Sequence, residues 1–258
     1  MSCYGLFYFQ CPENALTRNK KRTTMPNLDQ EHFVNAYFNF LNDKDFPCVA
    51  ARAALSRNQI RVFVADHLAC PKDDAAILDF MYGFVDEYRN TDSFFHSAAV
   101  IFKGPEAIDE HMFDQLLWQR LQAISNLDAQ KYGYDPRVSN DPNSKDFSFS
   151  LKEEAFYIIG LQPNSSRPAR SFTYPAFVFN PHQQFEVLRQ NKTYEKMKNI
   201  VRKRDIALSG SINPMLNDFG AIPEVFQYSG RKYDIDAWKC PFISQHQLAT
   251  ADEHYSTT

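Results

Sequence analysis

Residues 154–179 read EAFYIIGLQPNSSRPARSFTYPAFVF, and this stretch decides the fold class. Glu154 to Leu161 is a short, apolar, aromatic and β-branched run of strand length, too uniformly apolar for a strand with one wet face. Pro163 to Tyr174 holds the Ser, Asn and Pro residues of a loop. Ala176 to Phe179 is a second apolar run, closed by Asn180-Pro181-His182. Two buried strands joined by a loop with no helical pattern favour antiparallel pairing.

Working outward, Asp29 is placed to cap a helix through Phe33, Ala36, Tyr37, Phe40 and Leu41, which Phe46-Pro47-Cys48 breaks. Ile60 to Ala65 is a strand by composition. Asp73 and Asp74 open a helix through Ile77, Phe80, Met81, Phe84, Val85 and Tyr88. Phe94 to Phe102 predicts a further strand, stopped by Gly104-Pro105, and a helix follows over about 108–124. Residues 126–146 form a long polar loop, of a length that is uncommon inside a compact domain and is often functional or mobile. Helices are expected over about 183–190 and 194–208, with irregular chain from Gly210. The elements interleave without strict strand–helix alternation. The expected fold is α+β (mixed α/β), a single compact domain with a central mixed, largely antiparallel sheet flanked by helices. Residues 1–27 are expected to be a loosely ordered lead-in, 28–243 the globular domain and 244–258 a tail.

Composition narrows the function classes. Of 258 residues, 44% are hydrophobic and 23% charged, a globular balance. The net charge is −3 and the one basic run, Lys20-Lys21-Arg22, lies in the lead-in, which argues against nucleic acid as a partner. No apolar run approaches the roughly 18 residues of a membrane span. The apolar start, Tyr4 to Phe9, has no basic region before it, so no secretory signal is read there. The five cysteines form no CxxC pair, which argues against a disulfide framework or a structural zinc site and fits a reducing, cytoplasmic compartment. Aromatic residues reach 15%, enough for a Phe-rich core or a pocket for a flat ligand.

The common nucleotide and hydrolase motifs are missing: no GxGxxG, Walker loop, GxSxG or HExxH. Two of the seven histidines have informative settings. His182 lies at a strand-to-helix junction, where Asn180 can cap and Pro181 suits the first turn; ligands often bind at such sheet rims. His96 lies in the predicted strand beside Phe95 and Ser97, where it either hydrogen-bonds within the core or faces a cofactor. Cys-Pro occurs three times, at Cys11, Cys70 and Cys240, a setting for a thiolate ligand or for a buried thiol before a chain break. Helix 194–208 carries Lys196, Lys198, Arg202, Lys203, Arg204 and Asp205, a solvated face by default or a carboxylate-binding fork.

Several blocks in fixed order resemble the YqcI/YcgG family. They are Phe46-Pro47-Cys48, Leu117 to Gln122, Asp141-Pro142, Phe147 to Ser150 and Phe177 to Glu186 with Leu188-Arg189. They continue with Arg202 to Asp205, Gly210 to Leu216, Asp218-Phe219-Gly220, Glu224, Gln227 to Arg231 and Trp238 to Phe242. The resemblance runs from about residue 30 to 243. It implies a haem-dependent monooxygenase that N-hydroxylates a guanidine or related amine, since the family includes such enzymes. The cofactor implied is haem b with its iron, and the partners are a small guanidine or amine, O₂ and an external electron donor, with an oligomer left open. Iron needs an axial ligand, for which His182 and His96 are the candidates and Cys240 or Cys48 the thiolate alternatives. Arg170, Arg204 and Arg231 are candidates for the haem propionates, Asp218 and Glu224 for the guanidinium. Two other functions share these residues: a non-catalytic haem or small-molecule binding module, and a cofactor-free enzyme using Cys48 or Cys240 with His182 as base.

Overall fold

The structure is a computed structural model, and it describes residues 28–91, 93–213, 215 and 222–246. The elements run α1 (Leu28–Asn42), α2 (Val49–Ser56), β1 (Ile60–His67), α3 (Asp74–Arg89), β2 (Ser97–Gly104) and α4 (Glu110–Asp128). Then come β3 (Phe149–Leu151), β4 (Glu154–Leu161), β5 (Ala176–Pro181), α5 (His182–Gln190), α6 (Tyr194–Ser209) and α7 (Val225–Tyr228). One mixed sheet has the order β1-β2-β5-β4-β3. Only β1 and β2 pair in parallel, across the crossover helix α3; the other three pairings are antiparallel. The α+β class and the largely antiparallel sheet are therefore as expected.

The central strands are apolar on both faces because the sheet is covered on both faces. The period-2 alternation divides the side chains into two clusters. Val100, Phe102, Phe156, Ile158, Phe177 and Phe179 pack with α3, α4 and α7. Ala99, Ile101, Leu161, Ala176 and Val178 face the other way, toward α1 and α2. Gly160 in β4 lets α4 and α7 approach the strand: a Cβ there would lie 2.7 Å from Phe113 and 2.9 Å from the Tyr228 carbonyl.

Some local expectations are corrected. α2 was not anticipated: its Ala-rich sequence shows little helical stripe, and the Phe46-Pro47-Cys48 break is its N-terminus. His96 precedes β2 instead of lying in it, because Phe95 adopts a positive φ of 74° that ends the extended run. Asn180 belongs to β5 and donates from Nδ2 to the Tyr157 carbonyl (3.3 Å), so it does not cap α5. α4 continues to Asp128, and the loop after it is tied down through Asp135. That carboxylate is 1% exposed and accepts from the Arg137 fork and from Ala155 N (2.8 Å). Ser244 and His246 are buried, so packed chain extends past 243. The lead-in 1–27 and residues 247–258 of the expected tail lie outside the described residues, as does Asp218. No helix among the described residues is long and apolar enough to cross a membrane.

Candidate functional site

A cavity of about 300 Å³ lies on the α1/α2 face of the sheet. Its floor is Tyr157, Ile159 and Leu161 of β4 with Val178 and Asn180 of β5, the residues that alternation turns to this side. One wall is α2, whose Ala50, Ala51 and Ala54 leave the space open. α5 and α6 close the other side with Phe185, Leu188, Tyr194 and Met197. The body of the cavity is thus apolar, with polar groups placed at its rim, the usual make-up of a small-molecule site.

Cys48 faces this space as the N-cap of α2. Its Sγ accepts a hydrogen bond from Ala51 N (3.4 Å), and burial pushes the thiol above its ordinary pKa. The turn that presents it is held from across the fold. Arg204 of α6 donates to the carbonyls of Lys44 and Phe46, so this arginine positions the Phe46-Pro47-Cys48 turn and does not line the cavity. Cys240 packs instead against the opposite core cluster.

Four cations reach the lining. Arg170 is half-buried and donates to three backbone carbonyls, Gly160 (3.1 Å), Tyr228 (3.3 Å) and Gln227 (3.0 Å); desolvation lowers its pKa. No carboxylate is among those acceptors, though the charge of Asp205, which also lines the cavity, bears on it. Arg167 is bonded to Asp205 (2.7 Å), and Arg189 and Lys198 enter from α5 and α6. Arg231 lies elsewhere, between His111 (3.0 Å) and Asp114 (3.4 Å) of α4.

The acidic side is Glu224, 7% exposed, whose pKa burial raises to about 7. Its Oε2 accepts from Ser148 Oγ (2.8 Å) and from Tyr228 OH (3.4 Å). Beside it Gln184 spends Nε2 on the His96 carbonyl (3.1 Å), while its buried Oε1 has no protein donor. A buried acceptor left in this way calls for an N–H or O–H from water or a ligand.

Neither histidine expected to bind iron lines the cavity. His182 is committed at both ring nitrogens, Nδ1 to Ser148 Oγ (3.0 Å) and Nε2 to Glu186 (3.2 Å), and burial lowers its pKa. His96 points Nε2 at Ser93 (2.7 Å) and Gln59 (3.2 Å). Of the candidate ligands named from the sequence, Cys48 is the one among the described residues that lines this cavity. Among the described residues no group of three or more His, Cys, Asp or Glu could hold a bare metal ion. Of the residues named from sequence, Arg170, Glu224 and Cys48 are brought together. Arg167, Gln184, Arg189 and Lys198 were not singled out as site residues. Arg167 was legible only as a neighbour of Arg170, and Lys198 as one member of a charged helix.

The family model described as the YqcI/YcgG family matches residues 37–243. No curated protein and no solved structure matches the chain.

Proposed function

The chain belongs to the YqcI/YcgG family, and from this premise we propose that it is a cytoplasmic, haem-dependent N-hydroxylase of a small guanidine or related amine. The observation that carries the proposal is the Cys48 thiol on an otherwise apolar wall of a cavity that Arg170 also lines. The residues fit a haem held by sulfur. A thiolate is an established axial ligand, and an N–H donor such as Ala51 N tunes and orients it. Arg170 supplies positive charge for a propionate, with Arg167, Arg189 and Lys198 nearby. When bound, the haem would activate O₂ with electrons from an external donor.

The protein's own groups would bind and orient the substrate. The Gln184 Oε1 acceptor and the Glu224 carboxyl can receive guanidinium or amine N–H groups, and the Tyr157 ring offers an aromatic face. The apolar wall of α2 keeps bulk water from the Cys48 side. The thiol–imidazole enzyme has less support, because no hydrogen bond joins Cys48 or Cys240 to a histidine among the described residues.

The test is the absorption spectrum of the chain expressed with haem precursor and purified without a metal-affinity tag. A stoichiometric Soret band that shifts on reduction with CO is expected. Cys48→Ser should abolish or move it, while His182→Ala and His96→Ala keep it. A colourless protein that fails to take up added haem overturns the proposal.

A further inference from the structure

Behind the cavity wall, four side chains form an unbroken row. Glu224 faces the cavity. Ser148 Oγ lies 2.8 Å from Glu224 Oε2 and 3.0 Å from His182 Nδ1, and that same Nδ1 is 3.7 Å from Glu224 Oε1. On the far side of the ring, His182 Nε2 is 3.2 Å from Glu186 Oε1, and the Glu186 side chain is 33% exposed. The row begins in the cavity and ends in water.

We infer that Glu224, Ser148, His182 and Glu186 form a proton relay between the cavity and solvent. The proton count supports it. A hydroxyl has one hydrogen, and a neutral imidazole has one N–H. In one arrangement Glu224 is ionised, Ser148 donates to it, and His182 donates Nδ1–H to Ser148 and Nε2–H to Glu186, so the ring is an imidazolium. In the other, Glu224 carries the proton and donates to Ser148. Ser148 turns its own hydrogen toward Nδ1, and neutral His182 keeps only Nε2–H. The two arrangements hold the same number of protons. Passing from one to the other moves a single proton between Glu224 and His182, as the serine O–H bond to one side breaks and a new one forms from the other. Uptake or loss at Nε2 through Glu186 then connects the row to solvent. Burial raises Glu224 to about 7 and lowers His182, which removes the imidazole's ordinary advantage over the carboxyl in holding the proton.

Other ionisable groups face the row. Arg189 is ion-paired with Glu186, Asp135 bears on the ring from the loop before β3, and Tyr228 donates to Glu224 from α7. Tyr134 feels the charge of Glu224 and hydrogen-bonds to the Ser148 carbonyl (2.6 Å). These set where the row titrates but do not interrupt it.

The inference deepens the proposed function, since it needs the cavity to be the place where protons are used. It does not need iron. Infrared pH-difference spectroscopy on the full chain as purified reads it directly, with Glu224→Gln identifying the protonated-carboxyl band. In the wild type that band and the His182 ring bands should change together, because strongly interacting sites titrate as a pair. Ser148→Ala should weaken that coupling to what the direct 3.7 Å approach of His182 Nδ1 to Glu224 Oε1 carries. Glu186→Gln keeps the side chain's size at a partly exposed position, and should lower the Glu224 midpoint by removing a neighbouring negative charge. Independent titration of Glu224 and His182 in the wild type, or coupling unchanged in Ser148→Ala, overturns the relay. A colourless protein that still shows the coupling would sink the haem proposal and leave the relay standing.

Discussion

Glu224 shows how burial turns an ordinary carboxyl into a sensor of pH near neutrality. Its carboxyl is displaced from the ordinary value of 4.5 to about 7, with desolvation the largest cause and the Ser148 and Tyr228 donors opposing it. The folded chain therefore binds this proton more tightly than the unfolded chain does. Between about pH 4.5 and 7 the folded state holds a proton that the unfolded state has released, so this group's contribution to stability falls as pH rises through that window. Glu224→Gln keeps the shape and removes the titration. Urea denaturation at a series of pH values should show a flatter stability profile from pH 5 to 8 in Glu224→Gln than in the wild type, with the variant gaining relative to the wild type toward pH 8. Cys48 carries the opposite lesson: its thiol is raised by burial, so it stays protonated and inert until something in the cavity, such as a metal, takes the proton's place.

At the scale of elements, the site exists because one face of the sheet is filled and the other is not. Above Phe156, Ile158, Phe177 and Phe179, helices α3, α4 and α7 close down until β4 needs a glycine. Gly160→Ala would drive a methyl group into Phe113, Leu117 and the Tyr228 carbonyl, and backbone cannot yield as a flexible side chain can. The expected cost is about 1–3 kcal/mol, read as a lower urea midpoint with an unchanged slope. On the cavity face the alanines of α2 do the reverse, withholding volume so that α5 and α6 roof a space instead of a core. Arg204 then links the two sides of that space, since a helix α6 side chain holds the carbonyls of the turn before α2.

For the whole molecule, the cavity lies between the sheet and the α5–α6 pair that forms its roof. At about 300 Å³ the cavity is at the lower end of the range for small-molecule sites. On the proposed function, haem with a substrate would need more, and occupancy would then move the roof outward while the sheet stays. Hydrogen–deuterium exchange on haem addition should change over 182–209 and leave β2, β4 and β5 as they were; equal change in sheet and roof would count against this division. Deep burial of the strands on both faces is the reason for their expected stillness.

The chain's own order of residues was enough for the sheet. Glu154–Leu161 and Ala176–Phe179 are apolar throughout, and the structure uses them as the two central antiparallel strands, because a strand covered on both faces has no reason to alternate. The family blocks were legible as well, and Cys48 and Glu224 were within them, whereas Arg170 was named as a candidate outside them. What the sequence left open was which of its histidines, cysteines and arginines meet. His96 and His182 stand in suggestive local settings, yet their ring nitrogens are taken by Ser93, Gln59, Ser148 and Glu186, partners up to 37 residues away. Arg204 and Arg170 read alike along the chain, but one grips a turn and the other borders the cavity. Local pattern determines how each segment curls or extends, because that depends on neighbours a few residues off. The placement of a charge or a ligand depends on packing between segments more than a hundred residues apart, and only the tertiary structure decides it.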